Sequence, residues 1–216
     1  MIGEISLRGA LPSVFRGEQS PGSSQVWLAE VSFRRGGRYM IAAESGTGKS
    51  SLCAYIYGSR RDYDGTILFD GKDIRGLRIP RWQELRRGSL AYLPQDLGLF
   101  PELSAFDNIM LKNNLTGHFS PERVEALLGR LGIAHRRDFP VGKMSVGQQQ
   151  RVAIIRALAQ PFDFLLLDEP VSHLDVNNNR IAASIVEEEA SRQGAAVIST
   201  SVGNPLLIEK ALTLNL

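Results

Sequence analysis

The stretch Ala43-Glu44-Ser45-Gly46-Thr47-Gly48-Lys49-Ser50 decides the fold. The apolar run Tyr39-Met40-Ile41-Ala42 before it reads as a buried strand, and Ser51-Leu52-Cys53-Ala54-Tyr55-Ile56-Tyr57 after it reads as a helix running to Gly58. Strand, small-residue loop, Gly-Lys-Ser and helix together make a phosphate-cradling loop. Gly46 and Gly48 let the backbone curl until several N–H groups converge on one anion, and the helix beginning there adds the positive end of its dipole. Lys49 reaches the outer phosphates, and the Ser50 hydroxyl is a Mg²⁺ ligand. Ser45, Thr47 and Ser51 belong to the same nucleotide-binding loop. Ala43 stands where the pattern usually has its first glycine, a position that ends the strand. A Gly/Ser turn that happens to contain lysine is the alternative.

The 216 residues suffice for one well-buried domain and leave room for a subdomain. A hydrophobic fraction of 43% and a charged fraction of 22% are those of an ordinary soluble globular protein. The net charge of +2 is too small to argue for nucleic acid as a partner. The pairs Arg34-Arg35, Arg60-Arg61 and Arg136-Arg137 read as solvated, and Glu187-Glu188-Glu189 reads as the exposed face of a helix. The single cysteine, Cys53, excludes an internal disulfide and fits a reducing compartment. No apolar run reaches membrane-spanning length, and Met1 opens no signal sequence. The expectation is a cytoplasmic protein whose membrane role, if any, comes through a partner.

Gly3–Arg8 alternates as a half-exposed strand does, Arg16–Gln25 is a Gly/Ser/Pro-rich loop, and Val26–Phe33 resumes as strand. Asp62–Gly65 reads as a turn, Thr66–Phe69 as a strand, and Asp70-Gly71 as a hairpin signal. Pro80 opens a short helix to Arg87, and Leu90–Leu93 is a strand ending at Pro94-Gln95. From Asp96 to about Gln160 the strand signal fades. Ala105–Leu111, Pro121–Leu131 and Gly147–Ala159 carry helical spacing, with Ser120 as an N-cap. Phe164–Leu167 and Ala195–Ile198 are buried strands around a helix from Asn177 to Gln193, and Leu206–Leu216 offers a last pair. Strands alternating with helices predict an α/β core with a mainly parallel sheet. The two early strands predict an antiparallel β subdomain beside it. The whole chain, 1–216, reads as one domain: residues 1–94 and 161–216 form the nucleotide core, and 95–160 an inserted helical subdomain.

A phosphate-binding loop needs an acidic partner to hold Mg²⁺ and position water. Leu165-Leu166-Leu167-Asp168-Glu169 supplies it. Asp168 at the strand end is placed to act on Mg²⁺, and Glu169 to act as general base on the attacking water. Ser145 and Gly147 stand at the start of another helix, a second anion-binding end. Ser145 reads equally as a plain N-cap.

Walker A at Ala43–Ser50, Gln95 after a strand, Ser145-Val146-Gly147-Gln148-Gln149, Walker B through Asp168-Glu169, and Ser172-His173-Leu174-Asp175 occur in that order. The chain thus resembles the nucleotide-binding domain of ATP-binding cassette (ABC) transporters over nearly its whole length. Gln95–Pro101 followed by Phe106-Asp107-Asn108-Ile109 resembles the lipoprotein-release and macrolide-export type. The resemblance implies ATP and Mg²⁺ as cofactors and a head-to-tail dimer with a second ABC ATPase subunit, a copy or a paralogue. It implies an integral membrane permease docking near Gln95–Phe106, and a peripheral place on the inner face of the cell membrane. Gln95 becomes a Mg²⁺ and water contact. Ser145, Gly147 and Gln148 become contacts to the γ-phosphate held by the partner molecule, and Ser172–Asp175 an interface loop. Phe15 is either an aromatic stacking on adenine or a core residue. Leu97, Leu99, Phe100 and Phe106 either line the permease groove or fill the subdomain core.

Two departures bear on catalysis. Val146 places a β-branched side chain where the family has glycine. Ser201, in Ser199-Thr200-Ser201, occupies the position of the family's switch histidine and carries no charge to the γ-phosphate. Loss of one such preorganised contact costs on the order of 10²–10³ in rate. The resemblance therefore implies an ATPase weakened at Ser201 but retaining Glu169. Its rival is a regulatory ATP-binding subunit with little or no hydrolysis, and a P-loop kinase stands further off. His173 either substitutes across the dimer or is a surface residue of its loop. His118 and His135 have no Cys or acidic partner at ligand spacing, so no zinc site is expected. With the sequence ending soon after Ser201, the expectation is that no regulatory domain is added.

Overall fold

The computed structural model describes residues 1–17 and 24–216, so residues 18–23 of the loop expected over Arg16–Gln25 lie outside it. Two sheets carry the chain. The first is antiparallel, in the order β2 (Glu30–Arg34), β1 (Glu4–Pro12), β4 (Tyr63–Phe69), β5 (Lys72–Asp73). The second is parallel throughout, in the order β6 (Leu90–Leu93), β7 (Phe164–Asp168), β8 (Ala196–Ser201), β3 (Arg38–Ala42), β9 (Leu212–Asn215). Helix α1 (Lys49–Tyr57) follows β3, and α2 (Ile79–Gly88) leads into β6. Helices α3 (Ala105–Asn113), α4 (Pro121–Arg130) and α5 (Val146–Leu158) fall between β6 and β7, and α6 (Val176–Gln193) between β7 and β8.

The parallel sheet is buried on both faces, as all-parallel sheets are. Alternate side chains of β7 point to opposite cores. Leu165 and Leu167 join the cluster with the helices of residues 105–158, whereas Phe164 and Leu166 join the one holding α1 and the antiparallel sheet. This is the period of two that a strand imposes. The expected α/β class, parallel core and antiparallel β subdomain are all present.

Several local expectations are corrected. Asp62–Gly65 is not a turn, because β4 begins at Tyr63. Its Gly65 packs so tightly on the bulged part of β1 that a Cβ there would lie 2.1 Å from the Gly9 carbonyl. The strand expected over Val26–Phe33 shortens to β2, and Leu206–Leu216 yields one strand rather than two. Glu187-Glu188-Glu189 is only in part a solvated face: Glu187 and Glu188 keep exposure while pairing with Arg38 and Arg130, but Glu189 is 2% exposed against His118 and Arg192. His118 therefore has an acidic partner, 71 residues away in sequence. Burial pushes the Glu189 carboxyl up, but hydrogen bonds from His118 and Arg192 outweigh it and hold the group below the usual glutamate range. Of the arginine pairs, Arg34, Arg60 and Arg61 are exposed as expected, whereas Arg35 pairs with the buried Asp163 and Arg136 lies over the Phe139 ring. The Asp70-Gly71 hairpin forms as read, with both residues at positive φ (48° and 76°).

Candidate functional site

The carboxyl ends of β6, β7, β8 and β3 lie side by side, where ligands settle on open parallel sheets. Each end delivers one expected group: Gln95 after β6, Asp168-Glu169 at β7, Ser201 at β8, and the glycine loop after β3. Gly48 caps α1 at φ 98°, a left-handed turn that glycine makes without strain. A Cβ there would lie 3.2 Å from both the Phe15 and Trp27 rings. The indole N–H of Trp27 donates to the Thr47 carbonyl at 2.9 Å. Two aromatics thus brace the loop, and Phe15 does so from a short 3-10 turn rather than a strand.

Lys49 is 5% exposed; its ammonium donates to the Glu44 carbonyl at 2.8 Å and stands 3.7 Å from Glu169 Oε1. Thr47 Oγ1 donates to the same carbonyl at 2.9 Å, while Ser45 and Gly46 are exposed. Ser50 Oγ donates to Gln95 Oε1 at 3.2 Å, which joins the two residues expected at Mg²⁺ although 45 positions separate them. Ser51 Oγ accepts from Arg60 at 3.0 Å. A cleft of about 420 Å³ is lined by Ser50, Arg60, Tyr92, Gln95 and Asp168.

Asp168 is 1% exposed, and its two oxygens differ. Oδ1 accepts from Thr200 Oγ1 at 2.7 Å, whereas Oδ2 is buried with no partner. A buried carboxylate oxygen without a donor is costly. Beside Ser50 and Gln95 it fits a hard cation that takes oxygen ligands. Among the described residues no group of three or more His, Cys, Asp or Glu side chains is placed to hold a metal. Cation binding at Asp168 would therefore draw its remaining ligands from water or from a bound ligand. Cys53 lies buried nearby, its thiol pushed well up by burial and by the Asp168 charge.

Glu169 follows with φ 50°, a left-handed conformation that costs a non-glycine residue about 1–3 kcal/mol. That turn brings its carboxylate toward Lys49. Thr200 Oγ1 accepts from the Glu169 N–H at 3.2 Å, so one hydroxyl fixes both acidic residues. Ser201 is 6% exposed and its Oγ has no partner.

At the other helix start, Ser145 is the N-cap of α5: its Oγ accepts from the Gln148 N–H at 3.3 Å, and Gln148 Oε1 accepts from the Ser145 N–H at 3.1 Å. Gly147 is seated against the following loop, where a Cβ would lie 2.9 Å from the His173 carbonyl. Val146, 48% exposed, lines a cavity of about 330 Å³ with Gln95, Gln150, Glu169 and His173. Ser145 and Gln148 line neither cleft.

Two residues that sequence reasoning missed hold this arrangement. Thr200 is one. Gln150, 2% exposed, is the other: its amide donates to Ser172 Oγ at 2.8 Å and accepts from the His173 N–H at 3.0 Å. Gln150 directly follows the quoted motif, but nothing in its spacing gives it a partner 22 residues on. Ser172 Oγ is also 3.0 Å from His173 Nδ1. A larger cavity of about 780 Å³, between α6 and Leu207–Lys210, contains none of these residues.

Residues 28–172 match the model of a family described as ABC transporter. The chain belongs to that family. Among its members, the lipoprotein-releasing system ATP-binding protein LolD of Gluconobacter oxydans is 34% identical over 177 residues, 80% of this chain and 76% of that protein. An uncharacterized ABC transporter ATP-binding protein of Mycobacterium tuberculosis (strain H37Rv) is 34% identical over 168 residues. The chain spans about half that protein's length, 51%. The family's fold is shared with the cassette MJ0796, solved as a dimer in a post-hydrolysis state bound to ADP and Pi. The TM-score is 0.76 at 22% identity, over 93% of this chain and 88% of that one.

Proposed function

We propose that the chain is the ATP-binding and ATP-hydrolysing subunit of an ABC-type membrane transport or mechanotransmission complex, acting as a head-to-tail dimer. The observation that carries this reading is the meeting of Ser50, Gln95 and the partnerless Oδ2 of buried Asp168 at the mouth of the glycine loop. In it Lys49 leaves the Glu44 carbonyl for the outer phosphates of ATP. Ser50, Gln95 and Asp168 would hold Mg²⁺, which supplies charge neutralisation at the phosphates. Glu169 orients the attacking water and takes its proton. Ser51 faces the phosphates from the first turn of α1, and Phe15 offers a ring to the adenine.

The second half of the site is the α5 start of a partner cassette, either a copy or a paralogue. Its Ser145 hydroxyl still has a proton to give, and its Gln148 amide two. The 95–160 segment acts as a helical subdomain hinged at Gln95 and docks an integral membrane permease near Gln95–Phe106. The name of the LolD relative, an ATP-binding protein of a lipoprotein-releasing system, supports the reading of this chain as one subunit of a larger system. Among the described residues no helix is long and apolar enough to cross a membrane. Ser201 slows turnover on the order of 10²–10³ relative to a charged donor at that position. That deficit is also what favours a second reading, a regulatory subunit that closes on ATP and barely hydrolyses it.

Size-exclusion chromatography of Glu169→Gln with ATP and Mg²⁺ tests the dimer: the expected result is a stable ATP-bound dimer, and a monomer sinks the composite site. In a parallel assay with the membrane partner present, Ser201→His should raise ATP turnover. Wild-type turnover no higher than that of Lys49→Ala favours the regulatory reading.

A further inference from the structure

Trp27 is 2% exposed and packs against the glycine loop at Gly48. Its indole N–H donates to the Thr47 carbonyl at 2.9 Å, and among the described residues that carbonyl accepts from no other group. The Thr47–Gly48 peptide is trans, so its C=O and N–H point in opposite directions. A carbonyl held on the indole therefore turns the Gly48 N–H away from the buried ring, toward the open side of the loop. Among the described residues that N–H has no acceptor. It is a donor aimed and left free.

The indole is itself fixed from several sides. Ser24 Oγ accepts from the N–H groups of Val26 and Trp27, at 3.2 and 2.8 Å. Leu28 follows at φ 61°, a left-handed conformation unfavourable for a non-glycine residue, and its side chain is 53% exposed. The Leu28 N–H donates to the Ala10 carbonyl at 2.9 Å, which ties this turn to the bulged part of β1. The turn thus sends the leucine outward and the tryptophan inward. Edge-on contact with Tyr55 of α1, ring centroids 6.4 Å apart, sets the tilt of the ring. Gly48 completes the fit, since a Cβ there would lie 3.2 Å from the indole nitrogen and press the ring off its acceptor. Burial alone does not produce such a bond in this fold. The other tryptophan, Trp82, is 4% exposed and its N–H has no partner among the described residues.

We propose that Trp27 is a positioning residue for the phosphate chain: through the Thr47 carbonyl it holds the Gly48 N–H ready for a phosphate oxygen before nucleotide arrives. The proposal rests on the reading of the glycine loop as the ATP site, and adds the residue that presets one of its donors. Trp27 itself does not touch the nucleotide. Gly46 and Gly48 leave the loop peptides free to rotate, and a peptide that must be ordered on binding gives up affinity. A fixed point outside the loop removes that cost.

The test deletes the donor and keeps the ring. In the full chain Trp27 is replaced by 3-benzothienylalanine, which has sulfur in place of the indole N–H. Affinity for ATP with Mg²⁺, read by competition against a fluorescent analogue, should fall roughly threefold to tenfold. Tripolyphosphate, which carries the phosphate chain and no adenine, should lose affinity by the same factor. A lower melting temperature with both affinities unchanged makes the bond structural only and overturns the proposal, while the ATP reading stands. Loss for ATP but not for tripolyphosphate places the effect at the adenine, by way of the neighbouring Phe15, and also overturns it. A wild-type chain that binds neither ligand overturns the reading of the loop as well. Hydrogen exchange in the unsubstituted protein gives a second measurement, with the two indole N–H signals assigned by Trp82→Phe. Before nucleotide is added, the Trp27 indole N–H should exchange more slowly than that of the equally buried Trp82. Equal rates without nucleotide, with protection of Trp27 appearing only with ATP, mean that the nucleotide makes the bond, and count against the proposal.

Discussion

At the start of α1 the backbone is left bare. Gly48 supplies no side-chain cap, and Ser45 and Gly46 are exposed. The start of α5 is closed by comparison, with Ser145 and Gln148 capping each other and Gly147 pressed on the His173 carbonyl. A helix N-terminus attracts an anion only through donors it has not already spent. The glycine loop has spent few. The α5 end keeps a hydroxyl proton and an amide, enough to complete a site but not to make one. On the proposed reading, tight nucleotide binding belongs to the single chain and efficient turnover to the assembly.

The strongest way to break this contrast is to remove Lys49. Its ammonium is buried at 5% exposure and held by a carbonyl within the loop, ready for phosphate. Lys49→Ala should weaken ATP binding by a factor on the order of 10²–10³, read by equilibrium dialysis or fluorescent-nucleotide titration. A substitution that left affinity within twofold would show that the loop backbone alone grips the nucleotide. Deletion of the Ser145 hydroxyl would then be the more informative change.

The bare end was readable because its parts are contiguous. Strand, glycines, lysine and helix fall within twenty residues, and backbone propensity alone places them. The remainder of the site depends on partners remote in the chain. Thr200 is fixed on Asp168 and Glu169 by the pairing of β7 with β8, which brings together residues 32 apart. Glu189 was misread with its neighbours as a solvated run, because a helix face looks exposed until its covering residue, here His118, is known. The same holds for Asp62–Gly65, whose turn-like composition was overridden by pairing with the bulged part of β1. The family's motif order supplied the expected roles of Gln95 and Ser201, which propensity could not. The grip of Gln150 on Ser172 and His173 came only with three dimensions.

A second change tests the closed end without touching the bare one. In Gly147→Ala the new Cβ would fall 2.9 Å from the His173 carbonyl, closer than a methyl group tolerates. The Ser172–His173 loop must shift against the hold of Gln150, and with it the wall of the cavity that contains Glu169. Affinity for ATP should stay within about twofold, while turnover falls roughly tenfold to a hundredfold from misplacement of the interface. Parallel binding and steady-state ATPase assays separate the two. Equal loss in both would mean that the loop also supports the glycine-loop half, and the contrast between the ends would lose its meaning.

The smallest effect discriminates most finely. Val146 is the first residue of α5 and is 48% exposed, in the wall of the cavity that holds Gln95 and Glu169. On the proposed reading, its isopropyl group would stand between the helix's free N–H donors and a phosphate held by the partner cassette. Glycine would uncover them but holds a helix less well. Val146→Gly should therefore cost about 0.5 kcal/mol of stability, seen as a fall in melting temperature of roughly 1–2 °C. Turnover should rise about threefold, the equivalent of roughly 0.6 kcal/mol off the barrier. The opposite signs are the point. If activity falls together with stability, Val146 is only a helix residue and the weakness of the closed end lies elsewhere. Activity that rises while the protein softens locates the screen in one side chain, at the end of the site that is assembled rather than folded.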